Sequence, residues 1–444
     1  MFEYIKKSLQ HIPWFIGILI SKVDFRHRPL LGRRYVDTIR KIAEFEDMST
    51  SCKQEYILSQ INKSLKISLS IPYYRALYKS LNISTDKVFT LSEFKALPIV
   101  DKKMLQGCHI EHRSANYTNR YRVNTGGSSG EPLSFYLTPG HTPIEWAHMH
   151  TIWKKLNFSQ DKLKLVFSGI NIGNKCLAYD GLRHSYILNT YKSFSETISE
   201  LERVILKKEI EYLHGYPSLI YDFCCFLNDY RPEVLTYLKR HLKGVFFGSE
   251  FPILEHRKVI ERSLGVPTIS WYGHTERSAL AYEKAEKYVY HVFQTYGYCE
   301  AIKNKNGSYN LVVTSYSNKA SPFIRYDTGD EIEPVLIQGG ILKSFKIKGG
   351  RQGDYVYDKD KVKISLTALI FGRHHKLFEI TRFVQVRQTQ VGKVTFLITP
   401  GELFPVDFNI DDWMDLSSVN IECDYELLPS PKLSNLGKFL IKVN

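Results

Sequence analysis

A chain of 444 residues has room for two to four domains and a sizeable buried core. Its 43% hydrophobic and 24% charged content, with 29 Tyr and 25 Phe, excludes extended disorder. The formal charge of +14 asks for an anionic partner, yet it is spread along the chain with no long Lys/Arg run and no nucleic-acid-binding signature. Nucleotide phosphates or an anionic surface therefore fit better than nucleic acid.

At the N-terminus, Phe2, Ile5, Leu9 and Ile12 have helical spacing up to Pro13. The apolar run 14–20 that follows is too short to cross a bilayer, which takes about 20 residues. Nine Lys/Arg stand against three Asp/Glu over residues 1–41. Two readings are open: residues 1–22 pack on the body of the protein, or they lie peripherally on an anionic membrane surface. Residues 35–90 read as helical, so the first 120 residues are expected to be mainly helix. The seven cysteines are scattered and form no C-x-x-C, which predicts a reduced, cytoplasmic setting, at most peripheral to the inner face of the membrane.

Residues 121–139 change character. A β-rich entry leads into Thr125-Gly126-Gly127-Ser128-Ser129-Gly130-Glu131-Pro132, and a second β-rich run follows. Three glycines in six residues let backbone N–H groups turn towards one point, and Thr125, Ser128 and Ser129 add hydroxyls, which suits a polyphosphate. It is not a Walker A loop, because Glu131 stands where a lysine is required. A plain glycine–serine turn is the alternative.

Beyond it, a helix is expected over 142–156, a buried strand over 163–167, a charged helix over 195–212 and a turn at His214-Gly215-Tyr216-Pro217-Ser218. A strand over 243–247, a helix over 254–263 and a strand over 267–272 come next. Strands alternating with helices predict α/β architecture with partly parallel sheets. The last of these strands ends in Gly273-His274-Thr275-Glu276, at the carboxyl edge where α/β sheets gather ligands. Antiparallel strands with an Asn-Gly turn are expected over 288–313, then Arg325-Tyr326-Asp327-Thr328-Gly329-Asp330, which alone could be a β-bulge with an Arg325–Asp330 surface ion pair. A polar junction at 349–354 precedes a compact α+β unit of about ninety residues.

Each segment is weak alone; their order is specific. TGGSSGEP (125–132), HGYPS (214–218), FGSE (247–250), WYGHTE (271–276), SPFIRYDTGD (321–330), GGRQGD (349–354), FVQVRQ (383–388) and NLGKF (435–439) together resemble the adenylate-forming enzymes. Within them the chain is similar to the phenylacetate–coenzyme A ligase family, in the CapK-like branch associated with capsular polysaccharide biosynthesis. The resemblance runs from about residue 70 to the end.

It implies a large N-terminal domain (1–349) with mixed and parallel sheets, and a small mobile C-terminal α+β domain (350–444). A carboxylic acid and ATP would meet between them, forming an acyl-adenylate that passes to coenzyme A or to an amine or hydroxyl of a sugar or carrier. A non-catalytic, membrane-surface component of a polysaccharide-assembly complex is the reading from another class. The implied roles place Thr125, Gly126, Gly127, Ser128, Ser129 and Gly130 on the phosphates. Tyr272, with Gly273 beside it, would lie against adenine, Thr275 would bond the α-phosphate and Glu276 would hold Mg²⁺. Asp330 would accept the ribose hydroxyls with Arg351 assisting. Lys438 would stabilise charge during adenylation, with Lys432 and Lys442 as competitors for that role. Gly353 stands where such enzymes often carry a charged hinge residue. His291 and Cys299 are too sparse for the zinc cluster of some relatives, so no structural zinc is expected.

Overall fold

The computed structural model describes residues 12–28, 32–84, 87–125, 133–348, 354–371, 375–401, 403–432 and 440–443. Twelve strands form one sheet with two halves of different direction. In the first, Ser185–Asn189, Lys164–Ser168, Tyr212–Gly215, Gly244–Phe247 and Thr268–Gly273 lie side by side and parallel, with Leu177–Asp180 antiparallel at the edge. Parallel neighbours need crossovers, and helices Phe194–Ile205, Pro217–Tyr230, Pro232–His241 and Leu254–Leu264 provide them. Layers on both faces explain why Val245, Phe246 and Phe247 are consecutive and all buried.

The second half continues the sheet antiparallel through Leu280–Glu283, Tyr290–Val292, Ile341–Ile347, Tyr326–Gln338, Tyr309–Ser315 and Gly297–Lys303. The switch falls at Thr268–Gly273, which is parallel to one neighbour and pairs Trp271 with Tyr282 and Tyr272 with Ala281 on the other.

The helix expected over 195–212 ends at Ile205, and Tyr212–Gly215 is a central strand. The Ser193/Glu196 capping box sets its start, and the fully buried Tyr212 and Leu213 belong to the sheet core rather than to a helix face. His214-Gly215 is accordingly a strand end, with Pro217 opening the next helix.

Helices Gly32–Asp47, Thr50–Ser68 and Pro72–Ser80 fill the segment expected to be helical. The chain after them is riveted to the antiparallel half by Arg325. This arginine is not paired with Asp330: its guanidinium donates to Glu300 at 3.0 and 3.1 Å and to the carbonyls of Lys95 and Leu97. Burial raises the Glu300 carboxyl above its ordinary value despite the opposing Arg325 charge.

The apolar helix Trp14–Lys22 divides cleanly. Trp14 packs 4.9 Å from the Tyr179 ring under Lys208, and Gly17 and Ser21 are buried, while Phe15 and Leu19 are 66% and 64% exposed. The amphipathic stretch expected before Pro13 lies outside the described residues, Ile12 apart.

From Asp354 on, the hairpin Tyr355–Tyr357/Lys363–Ser365 and the four-stranded sheet Glu422–Leu427, Lys393–Pro400, Thr381–Gln390, Lys442–Val443 are joined by single helical turns. Their apolar residues, Ile364, Ala368, Val386 and Phe396 among them, share one cluster with Leu165, Phe167 and Phe223 of the parallel half. A Cβ on Gly169 would lie 2.3 Å from the Ala368 carbonyl, so only glycine admits this approach.

Candidate active site

Three of the motif segments meet because they leave the carboxyl ends of adjacent parallel strands. His214, Gly248 and Trp271 end or follow neighbouring strands; the His214 and Trp271 rings stack at 5.7 Å, and a Cβ on Gly248 would strike Trp271 at 2.8 Å. Glu250 Oε2 accepts from the Ser218 N–H at 3.2 Å, tying the second segment to the first. His214 Nδ1 bonds the Phe246 carbonyl at 3.1 Å, and burial brings its imidazole down to about 4, so it is neutral at pH 7.

Where the sheet switches direction, two carboxylates face two tyrosines. Tyr272 donates to Asp330 Oδ2 at 2.6 Å, and Tyr326 donates to Glu276 Oε1 at 3.2 Å. Burial, and then the Asp330 charge, drive the Tyr272 hydroxyl well above its ordinary pKa, so it stays protonated and donates. Glu276 Oε2 lies 3.0 Å from His274 Nδ1. Burial works to neutralise Glu276, but His274, followed by the more distant Lys102, more than offsets it and holds the carboxyl at about 2. Glu276 is thus an anion at neutral pH although it is only 6% exposed. His274 Nε2 is buried and has no partner among the described residues.

Asp330 comes from inside the strand Tyr326–Gln338. Gly329 adopts φ +76° and donates to Asp327 Oδ1 at 2.9 Å, and the pairing slips between Asn310 and Val312. The irregularity gives a place where a carboxylate leaves the ladder beside Tyr272. Thr125 is buried at the neck of the glycine-rich loop: its N–H donates to the Leu133 carbonyl at 3.0 Å and its Oγ1 accepts from Leu133 N–H at 2.9 Å. The hydroxyl thus closes the loop's base while keeping its proton free to donate. Thr275 is half-buried, and Gly273 is exposed opposite Leu280. Gly126, Gly127, Ser128, Ser129, Gly130, Arg351 and Lys438 lie outside the described residues.

The structure therefore brings together Tyr272, Glu276 and Asp330 from the expected set and adds Tyr326 and the His214–Trp271 pair. Tyr326 lies within the RYDTGD segment, but only tertiary pairing turns its hydroxyl to Glu276.

No protein-family model matches the chain. Protein CapK of Staphylococcus aureus is 22% identical over 348 residues, 74% of this chain and 73% of the relative. Among solved structures, 2-hydroxyisobutyryl-CoA ligase in complex with 2-HIB-AMP and CoA in the thioesterification state superposes with a TM-score of 0.54 at 14% identity, covering 89% of this chain and 90% of that one. The same ligase in the postadenylation state with R3-HIB-AMP gives 0.53 at 14% identity, over 89% and 90%. The fold is that of the adenylate-forming ligases. It consists of a large mixed sheet flanked by helices, followed by a smaller β-rich unit, and it carries a CapK-like sequence over three quarters of its length.

Proposed function

We propose that this protein activates a carboxylic acid with ATP, forming an acyl-adenylate and pyrophosphate, and then transfers the acyl group to an acceptor. The observation that carries the reading is the junction where Tyr272, Asp330, Tyr326 and an ionised Glu276 converge at the carboxyl end of the switch strand. Asp330 keeps lone pairs free beyond its bond from Tyr272 and can accept from ribose hydroxyls. In this reading Tyr272 lies against adenine and Thr275 bonds the α-phosphate. Arg351 assists at the ribose, and the loop 125–130 holds the outer phosphates.

Glu276 suits a cation: it is buried and ionised, and among the described residues each of its oxygens has a single side-chain partner. Among the described residues no three His, Cys, Asp or Glu side chains converge, so a magnesium ion there would complete its shell with phosphate oxygens and water. When bound, it supplies charge that offsets the charge developing on pyrophosphate. Lys438 approaches the α-phosphate and carboxylate oxygens from a small domain, beginning near 350, that moves between the two half-reactions.

The acceptor is coenzyme A or an amine or hydroxyl on a sugar or carrier. An ATP–pyrophosphate exchange screen over carboxylic acids, with products analysed with and without coenzyme A, identifies the acid and separates the acceptors. Lys438→Ala should abolish exchange while leaving ATP binding nearly intact; exchange at the wild-type rate would overturn that assignment.

The same reading includes a peripheral membrane contact through residues 1–22. Phe15, Ile16, Leu19 and Val23 form an exposed apolar stripe with Lys22 and Arg26 exposed beside it, which is the composition that anionic lipid surfaces attract. Deleting residues 1–22 should remove binding to anionic vesicles; unchanged binding rules this contact out.

A further inference from the structure

A second small site lies away from the sheet junction, under the N-terminal helix. A cavity of about 20 Å³ is lined by Phe25, Arg28, Trp153, Gln160, Lys164 and Arg183, with further aromatic wall. That volume admits one water-sized particle. Two of its cations are buried, Arg28 at 7% and Lys164 at 4% exposure, and neither forms an ion pair with any described residue. Arg28 spends its donors on the carbonyls of Ile20, Val23 and Leu182, at 3.1, 3.2 and 2.9 Å. Lys164 Nζ donates to the Arg183 carbonyl at 2.9 Å and otherwise faces the Phe158 and Trp153 rings.

The nearby carboxylates are committed elsewhere. Asp180 pairs with Arg183 at 2.6 Å, and Asp24 pairs with Arg26 at 3.0 Å on the surface. Carbonyl dipoles and ring faces ease a buried cation but carry no net charge, and buried charges are ordinarily paired. A third contributor is an orphan: Trp153 is buried, and its Nε1–H has no acceptor among the described residues. Two unpaired buried cations, one unsatisfied donor and a hole of monatomic size all lack the same partner.

We propose that this cavity is a binding site for a single chloride-sized anion, held by Lys164 Nζ and the Trp153 indole N–H in the field of Arg28. Without it, burial pulls the Lys164 ammonium down to about 7; the anion keeps it protonated. Gln160 Oε1 is also buried without a partner among the described residues, and turning its amide over presents an N–H in its place. Because Arg28 holds the helix Trp14–Lys22 and the loop at Leu182, the anion cements the N-terminal segment to the sheet. The site is independent of the adenylation reading.

Thermal unfolding of the full chain in sodium chloride and in sodium gluconate, a larger anion, at equal ionic strength tests it. The wild type should unfold about 2 °C higher in chloride, and Lys164→Met should show no difference between the salts. Trp153→Phe, which deletes the donor but keeps a ring, should show a reduced difference and serves if Lys164→Met does not fold. Crystals grown in bromide should show an anomalous peak in the cavity. Equal wild-type midpoints, an equal chloride shift in Lys164→Met, or a cavity holding only water in bromide would each overturn the proposal.

Discussion

In the parallel half of the sheet, His214, Gly248, Trp271 and Glu276 are delivered where neighbouring strands stop. In the antiparallel half, Asp330 is delivered from within a 13-residue strand, at a slip in its pairing beside Gly329. Parallel strands linked by helices bring every carboxyl end to the same edge, so their loops converge without special devices. An antiparallel strand pairs along its length and needs an irregularity to release a side chain into a site. The antiparallel half is also pinned by Arg325, whose guanidinium makes four hydrogen bonds, whereas His274 at the parallel edge keeps a buried nitrogen without a partner among the described residues. At Arg325 the interior of one half is paired, whereas at His274 the edge of the other is left open to a ligand.

Breaking the Arg325–Glu300 pair should have the largest effect. Arg325→Met leaves Glu300 buried and alone, and chemical denaturation should show a loss of about 3–5 kcal/mol. Adding Glu300→Leu should recover part of it. The pyrophosphate-exchange rate per folded molecule should change little, since Arg325 touches neither Tyr272 nor Glu276.

Glu276→Gln should act on both activity and stability. Exchange should fall by about 10²–10³, and the denaturation midpoint at neutral pH should fall as well, because the ionised carboxylate beside His274 is lost. Acid titration separates the two variants further. The Glu276 carboxyl lies below its ordinary value of 4.5, at about 2, so its stabilisation is fully present above 4.5 and is lost as pH falls from there towards 2. Unfolding followed by fluorescence should accordingly be shallower in that window for Glu276→Gln than for the wild type.

Tyr272→Phe probes the meeting of the halves, because its hydroxyl joins the switch strand to Asp330. A lost hydrogen bond of about 0.5–1.5 kcal/mol corresponds to a rise in the KM for ATP of about 2- to 10-fold, with kcat affected less. The smallest effect is expected for Tyr326→Phe, whose 3.2 Å bond is the longer of the two reaching Glu276. An effect larger than that of Tyr272→Phe would move the weight of the site from the ribose carboxylate to the metal carboxylate.

Sequence alone was enough to place the architecture, through helix–strand alternation and strand ends rich in glycine and polar residues. Tyr272, Glu276 and Asp330 were singled out by the resemblance to the adenylate-forming enzymes that the ordered set of short segments carries. The Arg325–Asp330 pair suggested by proximity in the chain does not form, because a buried guanidinium takes the partner that is buried with it, and Glu300 is 25 residues away. The helix read through to 212 fails for a related reason. Once a segment is central in a sheet, burial on both faces overrides a charged, helix-like composition upstream.

What only tertiary structure decided is which polar groups lack partners. Tyr326 facing Glu276, the Nε2 of His274 open among the described residues, and the two buried cations near Trp153 without an ion-pair partner among those residues are properties of distance, and sequence separation does not encode distance. A hydrogen bond or an ion pair needs an approach of about 3 Å, and only the packing of the sheet and its helices sets which groups come that close.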